Sequence, residues 1–90
     1  MSLFSGQMIK STNHQDYQKL IAWLKKARLD RGLTVRQLGE LLDEPFQFVS
    51  KVEKGQRNLS VHEYVQYCEA LGEDPKIGIA LVNRFTVRKG

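Results

Sequence analysis

Phe46, Gln47, Ser50, Lys51 and Lys54 lie in one run, EPFQFVSKVEKGQRNLS (44–60). Their spacing places them on or near one side of a short helix once Val49 and Val52 are turned inward. Together they offer an amide, a hydroxyl, two ammonium groups and an aromatic ring. That is equipment for recognition by hydrogen bonds and charge. Nothing comparable points to catalysis: no Ser, His and Asp set, glycine-rich phosphate loop or carboxylate pair stands out along the chain. His14 and His62 are far apart, and with the single Cys68 they make no metal-ligand spacing. The expectation is a binding protein, not an enzyme, with no cofactor and no metal.

The elements that must hold this face are legible from their punctuation. From His14 to Arg31, Tyr17, Leu20, Ile21, Leu24 and Ala27 recur at three- and four-residue spacing, which predicts one amphipathic helix ended by Gly32. Trp23 falls beside that stripe, as partly buried packing or as a partner contact. Thr34 and Gln37 have the spacing of a capping box and start a second helix, with Leu38, Leu41 and Leu42 as its inner stripe. Asp43, Glu44 and Pro45 close it and open the third, which Val49, Val52 and Phe48 anchor and Gly55 ends. Ser60 and Glu63 start a fourth, lined by Val61, Tyr64, Val65, Cys68 and Leu71 and ended by Gly72. Asp74 and Pro75 open a fifth, with Ile77, Ala80, Leu81 and Phe85 inward, although Gly78 weakens it. The end, RFTVRKG, reads as either helix or extended arm.

The predicted fold class is therefore all-α: five short helices in one compact domain. Residues 1–13 form a polar lead, 14–84 the domain and 85–90 a tail. Helices two and three, joined by two or three residues, are predicted to cross steeply as a helix-turn-helix.

Ninety residues and 41% hydrophobic content suit one core and hardly two. No apolar run is long enough to span a bilayer, the N-terminus has no extended apolar signal region, and a lone cysteine excludes an internal disulfide framework. The expected location is the cytoplasm. The net charge is +4, unevenly spread: Lys19, Lys25, Lys26, Arg28, Arg31 and Arg36 face only Asp30, whereas residues 58–75 carry four acids and no Lys or Arg. This is either an ordinary mixed surface or a basic side for a polyanion.

Four stretches, RLDRGLT (28–34), TVRQLGELL (34–42), FVSKVEKG (48–55) and LSVHEYVQYCEALGEDP (59–75), occur in an order that resembles the Cro and phage-repressor type (XRE-like) helix-turn-helix DNA-binding proteins. The resemblance spans about residues 17 to 83. It rests on Thr34, Leu38 and Gly39 across helix two, and on Val49, Ser50, Glu53 and Gly55 through helix three. It implies a repressor-like fold and sequence-specific binding of double-stranded DNA by a transcriptional regulator, either a repressor or a DNA-binding antitoxin. It further implies base contacts from Phe46, Gln47, Ser50 and Lys51. Phosphate contacts would come from Thr34, Val35 and Arg36 and from Lys54, Gln56, Arg57 and Asn58, and Arg28 with Glu53 would be a structural ion pair.

Two departures bear on the target. The family commonly has glutamine where this chain has Val35 and Phe46, so the target sequence is not inherited from a relative. Phe46 is expected either to meet a thymine methyl or to fold over Leu42. Proteins of this architecture bind half-sites as dimers, and the apolar residues after Pro75 (Ile77, Ile79, Leu81, Val82, Phe85, Val87) are expected to form a two-fold contact or to close the core. The competing class is a protein-interaction module on the same scaffold, with a toxin or polymerase as possible partners.

Overall fold

Thr34 does what its spacing predicts: its hydroxyl accepts from the Gln37 amide at 3.0 Å, and the Gln37 side chain accepts from the Thr34 amide at 2.8 Å. The computed structural model describes residues 15–82. The expected lead, the tail, His14, Phe85 and Val87 lie outside the described residues. The order is α1 (Gln15–Asp30), α2 (Val35–Leu42), α3 (Phe46–Glu53), α4 (Val61–Leu71) and α5 (Pro75–Val82), the predicted all-α, five-helix arrangement. No helix among the described residues is long and apolar enough to cross a membrane.

Every junction but the α2–α3 turn closes by the chemistry expected of its residues. Gly32, at φ 69°, ends α1, with the Gly32 and Leu33 amides returning to the Leu29 and Arg28 carbonyls. Gly55 and Gly72 repeat the pattern after α3 and α4. Ser60 and Glu63 form the second reciprocal cap. Asp74 Oδ1 accepts from the Lys76 amide and Pro75 occupies the first helical position, where its missing N–H is no loss. The α2–α3 turn differs from expectation. Asp43 caps α2 in the left-handed region at φ 60°, a conformation aspartate tolerates, and Pro45 is the N-cap of α3, not its first residue.

The core is built from Leu20, Ile21, Leu24 and Ala27 of α1, Leu38 of α2, Val49 and Val52 of α3, and Tyr64, Tyr67, Cys68 and Leu71 of α4. Three predicted stripes are rotated. In α2, Leu41 is 59% exposed and Gly39 is buried instead. A Cβ on Gly39 would stand 2.8 Å from the Glu44 carbonyl oxygen and 3.3 Å from the Phe46 backbone, so only a very small residue lets α3 approach this closely. In α4, Val61 sits at the exposed first turn while Tyr67 is fully buried, because the largest side chain takes the centre of the contact. Among the described residues, the Tyr67 hydroxyl has no hydrogen-bond partner. In α5 the inward residues are Gly78 and Val82, and Ile77, Ala80 and Leu81 face out. Gly78 lets α5 lie directly on Leu20 and Trp23 of α1 and on Tyr64 of α4. Trp23 is half-buried packing against the core.

Candidate functional site

The outer side of α3 is the candidate site. Val49 and Val52 are completely buried and fix the helix rotationally, so Gln47 and Lys51 are exposed, with Phe46 and Ser50 half-buried beside them. Glu53, one turn beyond Val49, is held at the helix end by Arg28 of α1. The Arg28 guanidinium donates from Nε and Nη2 to the two Glu53 oxygens at 2.6 and 3.0 Å, and from Nη1 to the Leu33 carbonyl at 2.7 Å. Three elements meet at that fork: α1, the loop before α2 and α3. It locks the orientation of the exposed face without taking part in it.

Two flanks frame the face. At the start of α2, the Thr34 hydroxyl and carbonyl take the Gln37 and Leu38 amides, which leaves the first two helix amides, Val35 and Arg36, to be met from outside. Such a helix N-terminus favours an anion. The Val35 side chain packs against the core, and the Arg36 side chain is exposed. At the other flank, Lys54, Gln56 and Asn58 are exposed on a loop whose entry is fixed by the Gln56 amide bonding to the Lys51 carbonyl at 2.8 Å.

Arg57 on the same loop is held differently. Its guanidinium forks onto Glu63 at 2.9 and 2.8 Å, donates to the Asn58 carbonyl, and lies 4.8 Å from the centroid of Phe48. Phe48 in turn tilts against Tyr67, 6.4 Å between centroids. The family resemblance implied a phosphate contact for Arg57 and gave no sign of this pairing. The linkage to Glu63 crosses from loop to helix, where no periodic spacing announces it. Arg36 of α2 is the counterpart on the neighbouring ring, its guanidinium 4.3 Å from the centroid of Phe46. The structure thus places Phe46 against Arg36, and it is Leu42 and Phe48 that pack on the core.

The Arg57 fork, followed by the Ser60 amide, pulls the Glu63 carboxyl from its ordinary 4.5 down to about 2. A carboxyl with a lowered folded pKa stabilises the fold above its unfolded pKa, and that contribution is lost as pH falls from about 4.5 towards 2. Glu63→Gln retains an acceptor for the Ser60 cap but loses the charge. Denaturant titrations across that window are expected to show a shallower acid decline for the variant than for the parent. Equal slopes would assign the acid sensitivity elsewhere.

Cys68 is fully buried, and burial pushes its thiol pKa up, as befits a core residue. Among the described residues no group of His, Cys, Asp and Glu side chains is arranged to hold a metal ion.

The helix-turn-helix family model matches residues 24–77. The chain is similar to the solved structure of an XRE-family like protein from Pseudomonas syringae pv. tomato str. DC3000, with 35% identity over 80% of this chain and 88% of that one and a TM-score of 0.72. It is also similar to the clp gene regulator ClgR from Corynebacterium glutamicum, with 28% identity over 72% of this chain and 69% of that one and a TM-score of 0.66. A second structure of that regulator, at 22% identity over 90% of this chain and all of the other, shares the fold with a TM-score of 0.67. No curated protein matches the chain.

Proposed function

Because the chain belongs to the XRE family of helix-turn-helix DNA-binding proteins, we propose that it is a sequence-specific transcriptional regulator, of the repressor or DNA-binding antitoxin kind, that reads the major groove with α3. The observation that carries this reading is the division of α3 into a fully buried valine edge and an edge presenting Gln47 and Lys51 with Phe46 and Ser50. Gln47 has the donor and acceptor pair to recognise adenine, Lys51 donates to guanine, and Ser50 suits either. The Val35 and Arg36 amides at the start of α2 and the loop bearing Lys54, Gln56 and Asn58 lie at its two flanks, suited to phosphates on either side of the groove. Arg57, committed to Glu63, acts there mainly by shaping the loop.

Two copies would read two half-sites about 34–36 Å apart. The exposed apolar side chains of α5 support a two-fold contact: Ile77 is 53%, Ile79 47% and Leu81 38% exposed, with Ile77 and Leu81 one turn apart on one flank.

Selection of bound duplexes from a randomised pool tests both parts at once. The parent protein is expected to enrich an inverted repeat, and a Gln47→Ala, Lys51→Ala double variant to lose it while its melting curve is unchanged. Binding of the enriched duplex is also expected to weaken with salt at a log-log slope of about −0.9 per phosphate neutralised. A single half-site would remove the dimer. No enrichment by a folded protein would redirect the exposed edge of α3 to a protein partner.

A further inference from the structure

The two arginine–phenylalanine contacts in the first turn of the reading helix are alike in geometry and opposite in what happens to their hydrogen-bond donors. Over Phe48, the Arg57 donors are taken by the Glu63 carboxylate and the Asn58 carbonyl, so that contact is closed scaffold. Over Phe46, Arg36 forms no ion pair among the described residues, and the side chain is exposed. A guanidinium resting on a ring uses its positive charge against the π face and keeps its planar N–H fork for another acceptor. The ring also restricts the long side chain before any partner arrives, which is preorganisation for a bidentate contact.

The surroundings distinguish between the two acceptors that DNA presents. Arg36 and Phe46 share a shallow hollow with Glu40, Glu44, Pro45 and Gln47. Two carboxylates beside the fork oppose the approach of a phosphate but exert no such repulsion on a neutral base edge. Gln47, the foremost exposed residue of α3, lines the same hollow, so the fork stands beside the base-reading end of the helix. Guanine, with O6 and N7 side by side in the major groove, is the base whose acceptors match it.

We propose that Arg36, held over Phe46, is a specificity-determining residue that reads a guanine next to the base contacted by Gln47, in place of the phosphate contact its position at the start of α2 suggests. The inference rests on α3 entering the major groove.

Parallel selections from one randomised duplex pool, with the parent, Arg36→Lys and Phe46→Leu, test it. The parent motif is expected to contain a guanine that both variants lose while the rest of the motif persists. Replacing that G·C pair by A·T should weaken the parent about 10- to 100-fold and Arg36→Lys only slightly, because an ammonium keeps the charge without the fork. If Arg36→Lys retains the guanine, or if Arg36→Ala weakens all duplexes alike and reduces the salt slope by about one phosphate, Arg36 is a backbone contact and the inference fails by itself. If the folded parent enriches no duplex, major-groove reading fails first and takes this inference with it.

Discussion

Arg28→Ala is expected to lower the free energy of unfolding by about 3–5 kcal/mol in a denaturant titration, because it strands a buried carboxylate. The Arg28 and Glu53 side chains are each only 9% exposed and are joined by two hydrogen bonds. Removing the guanidinium leaves Glu53 without a counter-charge beside the closed core, and it also frees the Leu33 carbonyl at the entrance to α2. The pair itself need not be strongly stabilising, since desolvation offsets much of its Coulomb attraction. A joint Arg28→Met, Glu53→Leu replacement is therefore expected to recover most of the loss. A single-variant loss below about 1 kcal/mol would mean that water reaches Glu53 freely, as at an exposed ion pair.

Gly78→Ala sets two physical effects against each other. Helix propensity alone favours alanine by about 1 kcal/mol in the interior of α5. The added Cβ would stand 2.2 Å from the Tyr64 hydroxyl, 2.6 Å from a Trp23 ring carbon and 2.8 Å from a Leu20 methyl. None of these is a free end: Tyr64 donates to the Pro75 carbonyl at 2.6 Å, Trp23 is part of a rigid ring packed on the core, and Leu20 is buried. Overpacking of this kind typically costs about 1–3 kcal/mol and outweighs the propensity gain. Calorimetry should find Gly78→Ala less stable than the parent, with α5 displaced. A more stable variant would mean that α5 sits on α1 loosely enough to slide.

These two sites also mark where the sequence was transparent and where it was not. The junctions were legible because capping is local: Thr34 with Gln37, Ser60 with Glu63, Asp74 with Pro75, and the glycines after α1, α3 and α4 each act within a few residues. The inward faces of α2 and α5 were misread for one reason. Hydropathy points large apolar residues inward, and at Gly39 and Gly78 the innermost position is held by the absence of a side chain. Leu41 and Ile77 were thereby turned out to solvent. The family likeness pointed to α3 as the site, and the alternation of buried valines with polar residues agrees with it. The arginine contacts over Phe46 and Phe48 had no sequence signal, since each joins residues on different elements.

The separation of the two edges of α3 has a consequence for how such a protein changes over time. Val49 and Val52 are wholly enclosed, while Gln47 and Lys51 touch the core with nothing their neighbours depend on. Exposed positions of this sort usually tolerate substitution within about 0.5 kcal/mol. Under the proposed reading, the address the protein recognises and the stability of the protein itself are inherited almost independently. Drift at two or three codons can send the same scaffold to a new site on a chromosome without an intermediate that fails to fold.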